Sequence, residues 1–208
     1  MSGIRQRDAG GRPILGAFPP HPEPVMPIQT FTLERVATPI GQMLVLTDAR
    51  ECLRAVDWQD YEPRMHALLR RQYGQGAVRV EDAARVSAAS RRLLAYFEGE
   101  VDAIDGLEVA LGGTDFQRQV WRALRDIEPG ETVSYGVLAG RIGRASAVCA
   151  VGMANGANPV GIVVPCHRVI GADASLTGYG GGLHRKRWLL GHEGRWRAAG
   201  GAPVARAA

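Results

Sequence analysis

The segment NPVGIVVPCHRVIG (158–171) constrains this chain more than any other stretch. Its short apolar run at 160–164 predicts a buried strand, which Pro165 ends. Cys166 and His167 follow at once. Neighbouring side chains of a strand point in opposite directions, so this thiol and imidazole need a turn or a bridging water to interact.

The Cys-His pair has two interpretations. Taken alone, it favours two packed core residues, because free cysteine is among the most buried residue types. The alternative is a nucleophile, which requires a base or a dipole that favours the thiolate. Glu193 is a candidate for orienting His167 as the third member of a relay, although the spacing alone does not establish this.

Cysteine usage and apolar patterning exclude several classes of protein. Cys52, Cys149 and Cys166 are odd in number and form no CxxC pair, so neither a disulfide framework nor a zinc site is indicated. No apolar run approaches the roughly 20 residues of a membrane helix. Residues 1–28 are rich in Pro and Gly and lack the apolar core of a signal peptide, which predicts a flexible tail. We expect a cytoplasmic protein that does not associate with membranes.

The charge is unevenly distributed along the chain. Residues 1–112 have a net charge of −2, whereas residues 113–208 have a net charge of +6. A basic C-terminal half suggests a polyanionic partner such as nucleic acid. The alternative is solvated surface charge in an arginine-rich protein, since Lys186 is its only lysine.

The first half of the chain alternates between strand and helix patterns. We expect an α/β domain over residues 29–112, in which no pattern suggests chemistry. Its predicted elements are strands at 31–36, 42–47 and 53–58 and helices at 63–73 and 85–100.

The second half has mainly helical patterns. Gly112-Gly113 marks the predicted start of a domain that covers residues 113–195, and Thr114 with Gln117 has the spacing of a capping box. Two short helices joined at a glycine then indicate either a helix-turn-helix or an ordinary αα-hairpin. The predicted helices lie at 114–127, 134–143, 145–158 and 184–194, and a flexible tail at 196–208 follows.

Four segments together resemble one family. They are TDFQRQVWRAL, ETVSYGVLAGRIG, NPVGIVVPCHRVIG and TGYGGGLHRKRWLLGHEG, in that order along the chain. Their order and spacing are similar to those of the O6-alkylguanine-DNA alkyltransferases, the methylated-DNA–protein-cysteine methyltransferases. The resemblance covers roughly residues 30–194, and residues 31–58 resemble the bacterial constitutive members.

The resemblance implies a fold and an activity. The fold is an α/β N-terminal domain plus a mostly α C-terminal domain, which contains a winged-helix-like helix-turn-helix and a short active-site strand. The activity is the irreversible, single-turnover transfer of an alkyl group from O6 of guanine in double-stranded DNA to the protein. The resemblance also implies minor-groove binding, rotation of the base out of the duplex, and chemistry without a metal or a cofactor. Nothing in the sequence demands more than a monomer.

The resemblance also assigns roles to individual residues. Cys166 matches the alkyl acceptor, His167 the histidine that takes the thiol proton through a water, and Glu193 the carboxylate that orients this histidine. Tyr135 matches the tyrosine that protonates N3 of the leaving guanine. Asn158 matches the hinge between the helix-turn-helix and the active-site strand.

Further positions match the family's substrate and DNA contacts. The carbonyls of Cys166 and Val169 match acceptors for the guanine amine, and the glycine-rich loop around Tyr179 leaves room for a flat purine. Positions that match DNA-contacting residues are Gln117, Gly136, Arg144 and Cys149.

Two positions depart from the family pattern. Cys149 stands where relatives usually have the arginine that fills the space left by the flipped base, which predicts weaker DNA binding with the chemistry intact. Gly180 stands where some relatives have a serine that binds O6, so only its backbone N–H is available there.

Two rival functions remain from the sequence. One is a helix-turn-helix protein that binds alkylation damage with little or no catalysis, which the missing arginine at Cys149 supports. The other is a Cys-His hydrolase, for which no oxyanion hole or substrate cleft is indicated.

Overall fold

The structure, a computed structural model, describes residues 28–201. Its first part is a four-stranded sheet in the order β3-β2-β1-β4. β1 pairs antiparallel with β2 and parallel with β4, and β2 pairs antiparallel with β3. The strands are β1 (Gln29–Thr38), β2 (Gly41–Thr47), β3 (Leu53–Trp58) and β4 (Val78–Asp82).

Two helices cover the two faces of this sheet. The alternation of side chains along β1 and β2 sends Phe31 and Leu44 to one apolar cluster and Val36 and Met43 to the other. The first cluster includes buried residues of α1 (Glu62–Tyr73), and the second includes those of α2 (Ala88–Glu98). The predicted α/β character of this part of the chain is confirmed.

The second part of the chain is mainly helical, as predicted. The third helix packs against the next two, and the indole Nε1 of Trp121 donates to the carbonyl of Ala154 at 2.8 Å. Two short parallel strands, β5 (Val133–Ser134) and β6 (Val169–Ile170), lie beside these helices. The helices are α3 (Asp115–Arg125), α4 (Tyr135–Arg141), α5 (Val148–Gly156) and α6 (Leu183–Ala198).

Local signals at the helix ends account for these boundaries. The capping box of Thr114 and Gln117 is present in both directions, which confirms that prediction. The hydroxyl of Ser134 accepts from the backbone N–H of Val137 at the start of α4. Gly99 ends α2 in the left-handed conformation at φ 115°.

The predicted strand at 160–164 is wrong. Only Val160 makes a bridge, to Val56 of β3, and residues 161–164 form turns in which Ile162 has a φ of 67°. A β-branched residue is unfavourable at positive φ. The neighbouring hydrogen bonds, including Gly161 N–H to the Val56 carbonyl at 2.9 Å, hold the chain in these turns instead.

The three other expectations concern the two predicted tails and the predicted domain boundary. The tail predicted at 196–208 starts too early, because α6 continues to Ala198. The ring of Trp196 packs against the larger apolar cluster. Residues 1–27 and 202–208 of the two predicted tails lie outside the described part. The division at 112/113 stays a prediction, since the larger cluster has side chains from both sides of it.

Consecutive helices α4 and α5 are in contact, but their assignment as a helix-turn-helix stays a prediction. Within residues 28–201, no helix is both long and apolar enough to cross a membrane.

Trp121 offers a test of how α3 is attached to α5. Trp121→Phe keeps an aromatic ring but leaves a small cavity and removes the bond from the indole to the Ala154 carbonyl, so we expect a loss of about 2–4 kcal/mol in the free energy of unfolding. Urea denaturation measures this loss. In the control, Trp196→Phe changes a partly buried indole for which no such bond is found, and should cost about 1 kcal/mol or less. Equal losses would contradict the role given to the Trp121–Ala154 bond.

Candidate active site

Cys166 begins a short 3-10 turn, Cys166–Arg168, directly after the turns at 161–164. Asn158 fixes this approach: its side-chain Nδ2 donates to the carbonyl of Val164 at 2.7 Å, and its Oδ1 accepts from the N–H of Val160 at 3.0 Å. Because Asn158 is buried, these two bonds replace the water that its amide would otherwise bind. Asn158 therefore joins the end of α5 to the segment that carries the thiol.

The thiol of Cys166 faces a small cavity between the two parts of the chain. The edge strand β3 forms one wall, and the loop of Tyr179 and Gly180 forms another. Trp58 of β3 also hydrogen-bonds to the side chain of Tyr179. The lining residues are Val56, Asp57, Trp58, Arg64, Asn158, Gly161, Cys166, Tyr179, Gly180 and Gly181.

Arg64 of α1 lies across this cavity. Its guanidinium donates to the carbonyls of Gly156 at 2.9 Å and Asn158 at 3.2 Å and pairs with the carboxylate of Asp57 at 2.5 Å. A Cβ on Gly180 would lie 2.3 Å from Cζ of Arg64. Glycine at position 180 therefore leaves the space that this guanidinium occupies.

His167 is fully buried behind the thiol. Its Nε2 lies 2.9 Å from Oε1 of Glu193, while its Nδ1 has no hydrogen-bond partner. Burial lowers the pKa of His167, against the opposing effect of Glu193, so the ring is neutral at physiological pH. An ionised Glu193 accepts the Nε2 proton, which leaves a free lone pair on Nδ1.

Glu193 of α6 is the most heavily bonded side chain of the site. Besides His167, it accepts from the hydroxyl of Tyr96, from Nε and Nη2 of Arg168, and from the backbone N–H of Gly130. Burial alone would raise the pKa of this carboxyl, but His167 and Arg168 hold it well below the usual range. Glu193 therefore stays ionised in spite of its burial.

The thiol of Cys166 is protonated in this state. Burial raises its pKa, although a hydrogen bond from Asn158 and the positive charges of Arg64 and Lys186 act in the opposite direction. A thiol of this kind needs a base to become a nucleophile. The arrangement thus combines a buried thiol with a buried neutral imidazole that has one free lone pair.

The two carbonyls expected to accept a guanine amine already have partners within the protein. The carbonyl of Val169 accepts from Nζ of Lys186 at 2.6 Å, and that of Cys166 accepts from the N–H of Val169 and from Nδ2 of Asn155 at 3.4 Å. Each carbonyl oxygen has two lone pairs.

The other expected residues lie outside the cavity lining. Tyr135 is half-buried at the start of α4, directly after β5, which pairs with the strand at Val169. Gln117 uses its side chain in the capping box of α3. The remaining positions are exposed on or beside α4 and α5, and they are Gly136, Arg144 and Cys149.

Sequence reasoning missed the contribution of the first half of the chain. Asp57, Trp58 and Arg64 line the cavity, and Tyr96 contacts Glu193, so residues 29–112 contribute side chains to the site although no pattern in them suggests chemistry. Arg168 and Lys186 were missed as well. Nothing in the spacing of these residues signals that the fold buries their polar groups around Cys166.

The buried pair of Glu193 and Arg168 offers a test of the site's stability. Glu193→Gln leaves the Arg168 cation buried without a counter-charge, so we expect a loss of about 3–5 kcal/mol in the free energy of unfolding. Urea denaturation at neutral pH measures it. In the control Glu131→Gln, the exposed partner Arg141 at 3.5 Å keeps its hydration, so the loss should stay below about 1 kcal/mol. A loss for Glu193→Gln as small as the control's would contradict the arrangement.

Comparison with known proteins gives consistent matches. Residues 115–195 match the family described as 6-O-methylguanine DNA methyltransferase, DNA binding domain. The chain is 50% identical over 161 residues to the methylated-DNA–protein-cysteine methyltransferase of Salmonella typhimurium, which covers 77% of this chain and 94% of that protein. It is 48% identical over 166 residues to the protein of that name from Mycolicibacterium paratuberculosis, with 77% and 90% covered.

Solved structures agree with these matches. The crystal structure of Mycobacterium tuberculosis OGT in complex with DNA has a TM-score of 0.66 at 39% identity and covers 84% of this chain and 96% of that one. The Mycobacterium tuberculosis O6-methylguanine methyltransferase gives 0.65 at 40% identity, with 85% and 96% covered. The chain therefore belongs to the O6-alkylguanine-DNA alkyltransferases, the methylated-DNA–protein-cysteine methyltransferase family.

Proposed function

We propose that Cys166 is the acceptor through which this methylated-DNA–protein-cysteine methyltransferase repairs DNA by direct reversal. Its substrate is O6-alkylguanine in double-stranded DNA. The observation that carries the proposal is the buried thiol beside a buried His167, whose Nε2 is bonded to Glu193 and whose Nδ1 has no partner. The relatives that carry the same family name support the reaction class.

The transfer is a displacement at the alkyl carbon. Nδ1 of His167 takes the proton of the Cys166 thiol through a bridging water, and the resulting thiolate attacks the alkyl carbon. An S–C bond forms as the C–O6 bond breaks, and the electron pair of the broken bond stays with guanine. Glu193 stabilises the imidazolium formed in this step, since its carboxylate lies 2.9 Å from Nε2.

Guanine leaves more easily when it is protonated as the bond breaks. Tyr135 supplies this proton to N3 of the base, a role that its position beside the strand at Val169 supports. The carbonyl of Val169 accepts from the exocyclic amine of the base with its second lone pair, and that of Cys166 does so in place of the long 3.4 Å bond from Asn155. Neither step uses a metal or a cofactor, and because the thioether is stable, each molecule acts once.

The α4–α5 pair is the proposed DNA-binding element, a helix-turn-helix that enters the minor groove. Val137, Val148 and Met153 are exposed apolar side chains on these helices, and Met153 is 71% exposed. Arg144 is exposed in the turn between them, and the C-terminal half of the chain is basic. Such a surface suits the minor groove, where apolar side chains wedge between base steps and basic side chains pair with the phosphates. The protein acts as a monomer in the reducing cytoplasm, where its three free cysteines persist.

Binding of damage without repair is the less favoured function. A pure binder has no use for a buried thiol next to an oriented imidazole, whereas the site has both. The matched relatives are named as methyltransferases.

The acceptor is tested with a duplex that contains one O6-methylguanine. We expect one methyl group on the peptide that contains Cys166, detected by mass spectrometry, and none after Cys166→Ala. Cys52→Ala is the matched control. Cys52 is also buried, but it directly precedes β3, contacts Glu108 and does not line the cavity. It should leave the transfer unchanged. Stable binding of the duplex without methylation would contradict the proposal and favour the binder.

Cys149 offers a separate test of base flipping. Cys149 is exposed at the second position of α5, and its short side chain cannot fill the space that the flipped base leaves in the stack. Cys149→Arg should speed transfer from duplex DNA by about tenfold, a modest part of the few kcal/mol that unstacking costs. Reaction with free O6-benzylguanine should change by less than about twofold, because a free base needs no flipping. Equal effects on both substrates would contradict the role assigned to position 149.

A further inference from the structure

We propose that Tyr96 is a positioning residue for the transfer reaction: its hydroxyl shares Oε1 of Glu193 with His167 and so weakens the hold of the imidazole on a proton. The inference rests on the proposed roles of Cys166, His167 and Glu193. It assigns a part of the proton relay to the first half of the chain, in which the sequence suggested no chemistry.

The geometry at Oε1 of Glu193 carries the inference. The Tyr96 hydroxyl donates to this atom at 2.9 Å, the His167 Nε2 lies 2.9 Å from it, and Nη2 of Arg168 donates at 2.8 Å. All four side chains are buried, so water does not compete for this oxygen. One oxygen thus serves three donors, whereas Oε2 serves Nε of Arg168 and the Gly130 N–H.

Sharing the oxygen changes the basicity of His167. A carboxylate stabilises an imidazolium through its negative charge, and every other donor on the same oxygen reduces the potential that the ring feels. Tyr96 therefore lowers the proton affinity of His167, so that the resting imidazole is neutral and able to accept a proton. A neutral resting imidazole is what the thiol of Cys166 needs as its base.

Tyr96 is built to remain a donor. Burial, together with the charge of Glu193, raises its pKa well above the usual range, so the hydroxyl stays protonated. Its ring packs edge-on against Phe97 and His192, with centroids 5.4 and 5.2 Å away. Its carbonyl accepts from Nε2 of His192 at 2.6 Å, which attaches α2 to α6 next to Glu193.

The other groups that face His167 stay in place when the hydroxyl is removed. They come from the 3-10 turn, from the glycine-rich loop and from α6. The titratable or charged groups are Cys166, Arg168, Tyr179, Lys186 and Glu193. A change in the proton affinity of His167 in Tyr96→Phe is therefore attributable to the lost donor.

The test is the pH profile, from pH 5 to 9, of Cys166 alkylation by free O6-benzylguanine, which separates the chemistry from DNA binding. Tyr96→Phe keeps the ring and removes one donor from Oε1, so the pKa of His167 rises. Because His167 must be unprotonated to accept the thiol proton, the acid limb moves to higher pH, by about 0.5–1 unit. The ratio of wild-type to variant rate then grows to about three- to tenfold on the acid side and stays within about twofold at pH 8.

The matched control is Tyr73→Phe. This hydroxyl accepts from Arg54 at 3.2 Å on the other side of the sheet, and its ring packs against Phe31, so its loss perturbs folding without touching Glu193. Its profile should have the wild-type shape. A wild-type to Tyr96→Phe ratio that is constant at all pH values would overturn the inference and leave the proposed function standing. No alkylation of Cys166 in the wild-type protein would overturn both.

Discussion

The site depends on the hydrogen bonds that keep the buried carboxylate of Glu193 charged. An isolated carboxylate inside a protein would be protonated or would destabilise the fold, and only a full set of donors keeps it charged. Here the donors come from α2, from the 3-10 turn, and from the turn before β5. Arg168 extends the network by donating to the carbonyl of Ile127 at 2.5 Å, just beyond α3. The full set of donors to Glu193 is therefore assembled only when both halves of the chain are folded against each other.

The free edge of the sheet is the second constraint. An unpaired edge strand invites association, and here residues 108–110 and the segment that leads to Cys166 together cover the outer edge of β3. The N–H of Val56 donates to the carbonyl of Pro159, and the N–H of Gly161 donates back to Val56, both at 2.9 Å. This pairing sets the thiol against β3, and the Arg64 guanidinium then closes the cavity. In this state Cys166 is buried, with 6% of its surface exposed.

Sequence patterns predicted most of the helices and three strands because these elements have apolar periodicity and local end signals, as Thr114, Ser134 and Gly99 illustrate. They missed β4, β5 and β6, two of which are only two residues long and are defined by pairing partners far away in the chain. The strand predicted at 160–164 failed because Asn158 and β3 hold those residues in turns.

The residues of the site also divide into those that the sequence signals and those that only the packing brings into place. Cys166, His167 and Glu193 could be predicted because the motif resembles a family, and the structure brings His167 and Glu193 into contact. Arg64 and Tyr96 could not, since an arginine and a tyrosine on amphipathic helices have no local sign that they lie beside Cys166 and Glu193, which are far away along the chain. Their positions follow from the packing of α1 and α2 around the sheet.

The proposed reaction depends above all on Glu193 holding His167 as a neutral base with Nδ1 free. The most direct measurement is the 15N NMR spectrum of the His167 ring in the unreacted protein at neutral pH. We expect a proton on Nε2 and none on Nδ1. A proton on Nδ1, or a doubly protonated ring, would contradict it.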